Sequence, residues 1–158
     1  MKQNFLQRFN QWLPASPFGA KAFSKFLHLV DAPLMKVSKE KFSIPQFVIG
    51  LPCVRLTSIG AKSGRTRTIP TIGVPDGERI ALICSNWGQA RNPAWYHNLK
   101  QHPQARLAFI TTEGEAHEGT YTARELDETE EYERIWEKAC GVYIGYPKYR
   151  RRAANRRI

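Results

Sequence analysis

The sequence is short of cysteine, with only Cys53, Cys84 and Cys140 among 158 residues and no CxxC or Cys/His grouping. An odd, scattered set argues against a disulfide framework and against a structural zinc site. His28, His97, His102 and His117 show no HExxH-like spacing, so no metal ligand set is expected. Long apolar runs are also missing, and none approaches the roughly 20 residues that a membrane-spanning helix needs. No charged-then-apolar leader opens the chain, which makes a cytoplasmic address the default expectation. GxxxxGK[ST] is absent, as are GxSxG and any Ser/His or Cys/His arrangement. Catalysis by this chain would therefore draw its chemistry from a bound cofactor.

Apolar residues make up 42% and charged residues 24%, a globular balance in a chain long enough for one domain with a real core. Net charge is +10, unevenly spread: seven of the fourteen acids lie between positions 125 and 137. The last eleven residues, KYRRRAANRRI, hold six cations and no acid. Such a field suits an anionic partner, whether nucleic acid, anionic lipid or a phosphorylated or carboxylated small molecule. No nucleic-acid-binding motif accompanies the basic cluster, so no specific nucleic-acid partner is expected.

Residues 1–41 carry two apolar stripes at helical spacing, Phe5, Leu6, Phe9, Trp12, Leu13 and then Phe23, Phe26, Leu27, Val30, Leu34, broken at Pro14. They read as an N-terminal amphipathic helical segment, with residues 42–158 as the main domain. From Leu51 the period becomes that of strands. CVRLTSI and TRTIPTIGV flank a basic loop as a hairpin, and Pro70 demands an edge position or a bulge. VPDGE reads as a type I turn, and RIALICS, nearly all apolar, as a central strand covered on both faces. Asn92-Pro93 marks a helix start, with Asn as N-cap. RLAFI and EAHEGTYTA form a second hairpin. Thr122 and Glu125 fit a capping box for a last helix burying Tyr132, Ile135, Trp136 and Ala139. The tail from Tyr143 has no clear apolar period. The order predicts an α+β fold: a small antiparallel barrel, curled or closed, with helical cover.

Three stretches could carry chemistry. The first is GAKSGRTRTIP at 60–70, where Gly60 and Gly64 allow the chain to expose backbone N–H groups beside Lys62, Ser63, Arg65 and Arg67. Lysine supplies a point charge and arginine a fork suited to phosphate. Taken alone, such a loop is more often a solvated hairpin tip. The second is SNWGQARNPAW at 85–95, in which Ser85 and Asn86 offer hydrogen bonds and Trp87 and Trp95 could flank a planar ligand; core packing is the equal alternative for Trp95. The third is the tail, where Tyr143, Tyr146 and Tyr149 recur every three residues, each with a ring to stack and a hydroxyl to donate.

Together, GAKSGRTRTIP, the strand ending in Ser85 and NPAWYHNLKQHP (92–103) resemble the deazaflavin-dependent nitroreductase family over roughly residues 51–158. Its members are split β-barrel oxidoreductases, FMN-binding-split-barrel-like in fold, that use coenzyme F420, a deazaflavin with a phospholactyl-oligoglutamate tail. The resemblance implies that Gly60, Ala61, Lys62 and Ser63 hold the coenzyme's phosphate and that Arg67 reaches the phosphate or the glutamates. Pro70 and Thr71 follow in the same motif. Ser85, Asn86 and Trp87 would lie by the ring, with Trp95 supporting that wall. Tyr143, Tyr146 and Tyr149 would cover the substrate side, Tyr143, Tyr146 and Ser85 being the catalytic candidates. The implied reaction carries a hydride to a small acceptor: an activated alkene, a quinone or a nitroaromatic. The alternative is a non-catalytic split barrel that binds flavin, haem or fatty acid, with the N-terminal helix at a membrane surface; FMN is the alternative cofactor. The chain departs from the family at Thr71 and Ile72, usually Leu and sometimes an aromatic, and at Trp87, which replaces the first of a frequent Gly-Gly pair. Relatives also continue past the position of Ile158, through a proline, into a last strand.

Overall fold

The structure, a computed structural model, describes residues 51–111, 114–127 and 129–158. The helical segment expected at 1–41 lies outside the described residues. The chain forms two compact units, one containing Pro52–Cys84 and Arg91–Ala139, the other Ser85–Ala90 and Cys140–Ile158. No helix among the described residues is long and apolar enough to cross a membrane.

The first unit is built on an antiparallel sheet. Its strands are β1 (Cys53–Ile59), β2 (Thr66–Asp76), β3 (Arg79–Leu82), β4 (Gln104–Ile110) and β5 (Ala116–Thr122), in the order β3-β2-β1-β4-β5. Strict alternation on β1 sends Val54 and Leu56 to one face. There they join Ala105 and Leu107 of β4, and Trp95 and Leu99 of helix α1 (Ala94–Gln101) pack against the cluster. The opposite face is polar: Thr57 and Thr68 share a 3.0 Å hydroxyl contact, and Arg106 pairs with Glu118 at 2.7 Å.

Strand β2 serves two neighbours in succession, β1 as far as Ile72 and β3 from Gly73 onward. The crossover needs glycine, because a Cβ on Gly73 would lie 2.5 Å from Val54 Cγ1 and 2.9 Å from Ile80 Cγ2. Pro70 sits opposite Arg55 in the half of β2 that has β1 on one side and no described strand on the other. That is the local edge its missing N–H requires.

Four expectations need correction. The apolar run RIALICS is not a central strand; β3 has four residues, lies at the edge of the sheet and is only half-buried from Ile80 to Leu82. Its apolar character comes from Ile80 and Leu82, which pack beside the core. The turn before it is not type I. Asp76 pairs directly with Arg79, and of the two residues between them only Gly77 has positive φ (62°), the type II′ pattern that suits strand twist. Helix α1 starts one residue later than expected: Pro93, extended at ψ 152°, takes the N-cap place and no side chain caps it. The Thr122–Glu125 capping box does not form. Thr122 ends β5, where its hydroxyl accepts from Gln104, and Glu125 binds Lys100 and Tyr96 instead.

The last expected helix is present as α2 (Glu130–Val142), and it buries Tyr132, Ile135, Trp136 and Ala139 as its 3.6-residue period implies. Charge fastens it to the β2–β3 hairpin. Arg134 grips Asp76 with two bonds of 2.6 and 2.8 Å, Lys138 adds one of 2.9 Å, and Glu131 takes Arg124 and Arg79. The hydrogen bonds from Arg134, then Lys138, hold the Asp76 carboxyl well below the usual carboxylate range. In the second unit the tail does have a helical period. Helix α3 (Tyr146–Arg152) buries Tyr146 and Tyr149, and Tyr143, Ala153 and Ile158 are buried with them.

Candidate functional site

The β1–β2 loop is a closed hairpin rather than an open cradle. Gly60 N–H donates to Arg65 O at 2.8 Å, and Gly60 O accepts from the N–H groups of Ser63 and Gly64 at 3.2 and 2.8 Å. Gly64 has φ 62°, a conformation that favours glycine, and a Cβ on Gly60 would press on Ser63 Oγ at 2.7 Å and Arg65 O at 3.2 Å. Ala61 N–H donates to Asn98 Oδ1 at 3.0 Å, and Asn98 Nδ2 donates to Ser58 Oγ at 3.3 Å. Asn98 and Ser58 are both buried. One amide side chain on α1 therefore ties the loop to the end of β1.

The expected outward-facing backbone N–H groups are largely consumed, since those of Gly60, Ala61, Ser63 and Gly64 all donate within the protein. What the loop presents outward is side chains. Lys62, Ser63, Arg65 and Arg67 are exposed, and among the described residues no carboxylate pairs with Lys62, Arg65 or Arg67. The contrast within the same unit is sharp: Arg79, Lys100, Arg106, Arg124, Arg134 and Lys138 are all in ion pairs. Three cations at one hairpin without a described acidic partner suit a ligand carrying several negative charges. By strand alternation Arg67 and Thr71 lie on the core-facing side of β2 with Ile69. Pro70 is exposed on the other side. Trp95 is half-buried against the sheet core.

Asn98 escaped the sequence reading. Its signal was a polar residue one turn after Trp95 and beside Leu99, on the face of α1 that packs inward.

The other candidates share the second unit. Asn86, Trp87 and Gly88 have φ of 42°, 58° and 75°, three successive left-handed residues, of which only glycine is at ease there. For a residue as bulky as Trp87 that conformation costs roughly 1–2 kcal/mol. Gly88 has no room for a side chain, because a Cβ would meet Tyr149 Cα at 3.1 Å and Arg152 Cβ at 3.0 Å. The Trp87 ring meets Tyr149 edge-on, with centroids 6.2 Å apart.

Tyr143, Tyr146 and Tyr149 are each no more than 3% exposed. The hydroxyls of Tyr143 and Tyr149 lie 2.9 Å apart, and Tyr146 stacks edge-on against Tyr143 at 5.2 Å. Burial pushes the Tyr143 phenol up, and burial together with its phenolic neighbour pushes Tyr149 up further. Both stay neutral at physiological pH. In such a pair one hydroxyl donates to the other, which leaves one proton to donate elsewhere.

A curled antiparallel sheet, helices following it and a cationic first hairpin define the class of split-barrel proteins. A family model described as F420H(2)-dependent quinone reductase matches residues 34–158. The chain belongs to that family, a family of oxidoreductases. It is 36% identical over 56 residues to the F420H(2)-dependent quinone reductase Rv1261c of Mycobacterium tuberculosis, a match spanning 35% of this chain and 38% of the relative. It is 32% identical over 57 residues to the putative F420H(2)-dependent quinone reductase Rv3178 of the same organism, spanning 36% and 48%. The matched segment thus spans well under two thirds of these relatives. Among solved structures, an F420-H2 dependent reductase, FDR-A, matches with TM-score 0.54 and 33% identity, over 64% of this chain and 84% of that one. Another, described as a domain-swapped dimer, matches with TM-score 0.56 and 28% identity, over 79% and 90%.

Proposed function

We propose that residues 42–158 form a deazaflavin-binding domain and that the chain is a coenzyme F420-dependent oxidoreductase whose acceptor is a quinone. The family supports the cofactor and narrows the acceptor from the wider set of alkenes, quinones and nitroaromatics. The observation that carries the reading onto this chain is the trio Lys62, Arg65 and Arg67, exposed on a pinned hairpin and unanswered by described carboxylates. Those residues fit a phosphate followed by carboxylates.

In this reading Lys62 and Ser63 bind the phosphate through side chains, with Gly60 and Ala61 shaping the turn, and Arg67 binds the phosphate or the first glutamates. Pro70 and Thr71 continue the same strand. Ser85, Asn86 and Trp87 border the ring, and Trp95 acts through the wall it builds. Bound reduced deazaflavin supplies a hydride to the quinone. The chain's own share is orientation, exclusion of water and a proton for the reduced oxygen, drawn from the hydroxyl of Tyr143 or Tyr146, with Ser85 the third candidate.

The test is a fluorescence titration with coenzyme F420, run in parallel with FMN by absorbance. The expected outcome is micromolar binding of the deazaflavin and weaker binding of FMN. Lys62→Ala should reduce F420 affinity by about tenfold or more, the loss of one charge-assisted contact of ~1.5–3 kcal/mol. Tight FMN binding with no F420 binding would overturn the proposal.

A further inference from the structure

The 85–89 turn holds three left-handed residues in a row, and two of them, Asn86 and Trp87, are not glycine. Its own backbone supplies Gly88 N–H to Ser85 O at 2.8 Å and Gln89 N–H to Asn86 O at 3.0 Å. A second element braces it. Arg156 Nε donates to Gln89 O at 3.0 Å and one terminal nitrogen donates to Ser85 O at 2.9 Å. One planar guanidinium thus spans the carbonyls at the two ends of the strained stretch. Arg156 is itself anchored, since its N–H donates to Ala153 O at 2.9 Å and Ala153 is fully buried after α3. Its other terminal nitrogen donates to Arg157 O at 3.0 Å. Two divergent bonds from a rigid fork are beyond lysine, whose ammonium is a single point on a flexible stem.

We infer that Arg156 is a positioning residue for the deazaflavin ring: it keeps the 85–89 turn left-handed and so sets the placement of Ser85, Asn86 and Trp87. The inference rests on the reading of those three residues as the ring border. Gly88, wedged against Tyr149 and Arg152, prevents the turn from sliding, so loss of Arg156 is relieved by rotation at Asn86 and Trp87. That displaces the side chains nearest the ring and leaves the phosphate-binding side chains of the β1–β2 loop unchanged.

Two measurements on the full chain test this. The first is amide hydrogen exchange, which reads local opening without any ligand. Arg156→Ala should speed exchange at Gly88 and Gln89, while Tyr149 and Ala153 keep their protection. Adding Trp87→Gly should shrink that effect, because glycine tolerates positive φ unaided. The second is affinity for two probes, coenzyme F420 and the 8-hydroxy-5-deazaflavin chromophore without phosphate or glutamates. Arg156→Ala should weaken both by the same factor, about tenfold for the loss of two charge-assisted bonds, and Arg156→Lys should fall between. Lys62→Ala should weaken only the full coenzyme. Unchanged exchange at Gly88 and Gln89, or a uniform rise through α3, overturns the positioning role. So does chromophore binding equal to wild type in Arg156→Ala, or in Arg156→Lys if the alanine variant does not fold. Failure of the wild-type chain to bind either probe overturns the functional reading itself and, with it, the role assigned to Arg156.

Discussion

At the scale of single residues, the side chain that organises the cationic β1–β2 hairpin carries no charge. Asn98 reaches Ala61 from 37 positions away and satisfies a buried Ser58 at the same time. Asn98→Ala should cost ~1–3 kcal/mol in chemical denaturation, because it takes a partner from the buried Ser58 hydroxyl and from the half-buried Ala61 N–H. It should also weaken F420 binding, since Lys62 and Ser63 then hang on a looser turn. The cations themselves were legible in the sequence, as were both glycines. Asn98 was not, because its task is set by a partner that only the fold brings near. The paired phenols lead to a pH dependence. Burial raises the Tyr143 pKa above its ordinary value of 10.0, so the folded state holds its proton more tightly than the unfolded chain. The resulting stability is complete below about pH 10 and is lost as pH rises beyond it. Melting temperature should be flat from pH 7 to 9 and fall above 10, and Tyr143→Phe should blunt that fall.

At the scale of elements, the β2–β3 hairpin and α2 are held together by Asp76. Its carboxylate has a depressed pKa, so its contribution is fully present above the unfolded value of 3.8 and declines as pH drops below it. Asp76→Asn should lower the melting temperature at pH 7, and the gap to wild type should narrow as pH falls toward 2; a gap independent of pH would count against the clamp. This contact joins residues 58 positions apart and could not be read from spacing. The helical face of α2 could, because Tyr132, Ile135, Trp136 and Ala139 share one side at 3.6 residues per turn. RIALICS misled for a related reason: an apolar run states that side chains are covered, not how many strands flank them. The tyrosine spacing of the tail did encode a helix, but α3 is only seven residues long, and its YPKYRRR sequence looks polar until the fold buries Tyr146 and Tyr149.

At the scale of the whole molecule, charge is partitioned. The described part of the second unit carries Lys148, Arg150, Arg151, Arg152, Arg156 and Arg157 without one acid, whereas most cations of the first unit are paired. In the proposed role, the exposed trio on the β1–β2 loop would make coenzyme capture sensitive to screening. F420 affinity should fall steadily as salt rises from 0.05 to about 0.5 M, and affinity for the tail-less chromophore should not; equal salt dependence of the two would place the anion contacts elsewhere. The antiparallel class and the strand order along the chain were legible, because hairpin signals are local. The division of β2 between two neighbours was not, although Pro70 and Gly73 mark its two halves. Pro70 has a consequence beyond this chain. Among the described residues, half of β2 has a strand on one side only, the kind of edge that recruits a strand from another molecule. A residue without an N–H breaks that template midway. Pro70→Val should leave the fold intact yet raise the chain's tendency to form β-rich aggregates at high concentration, visible as growing light scattering over days.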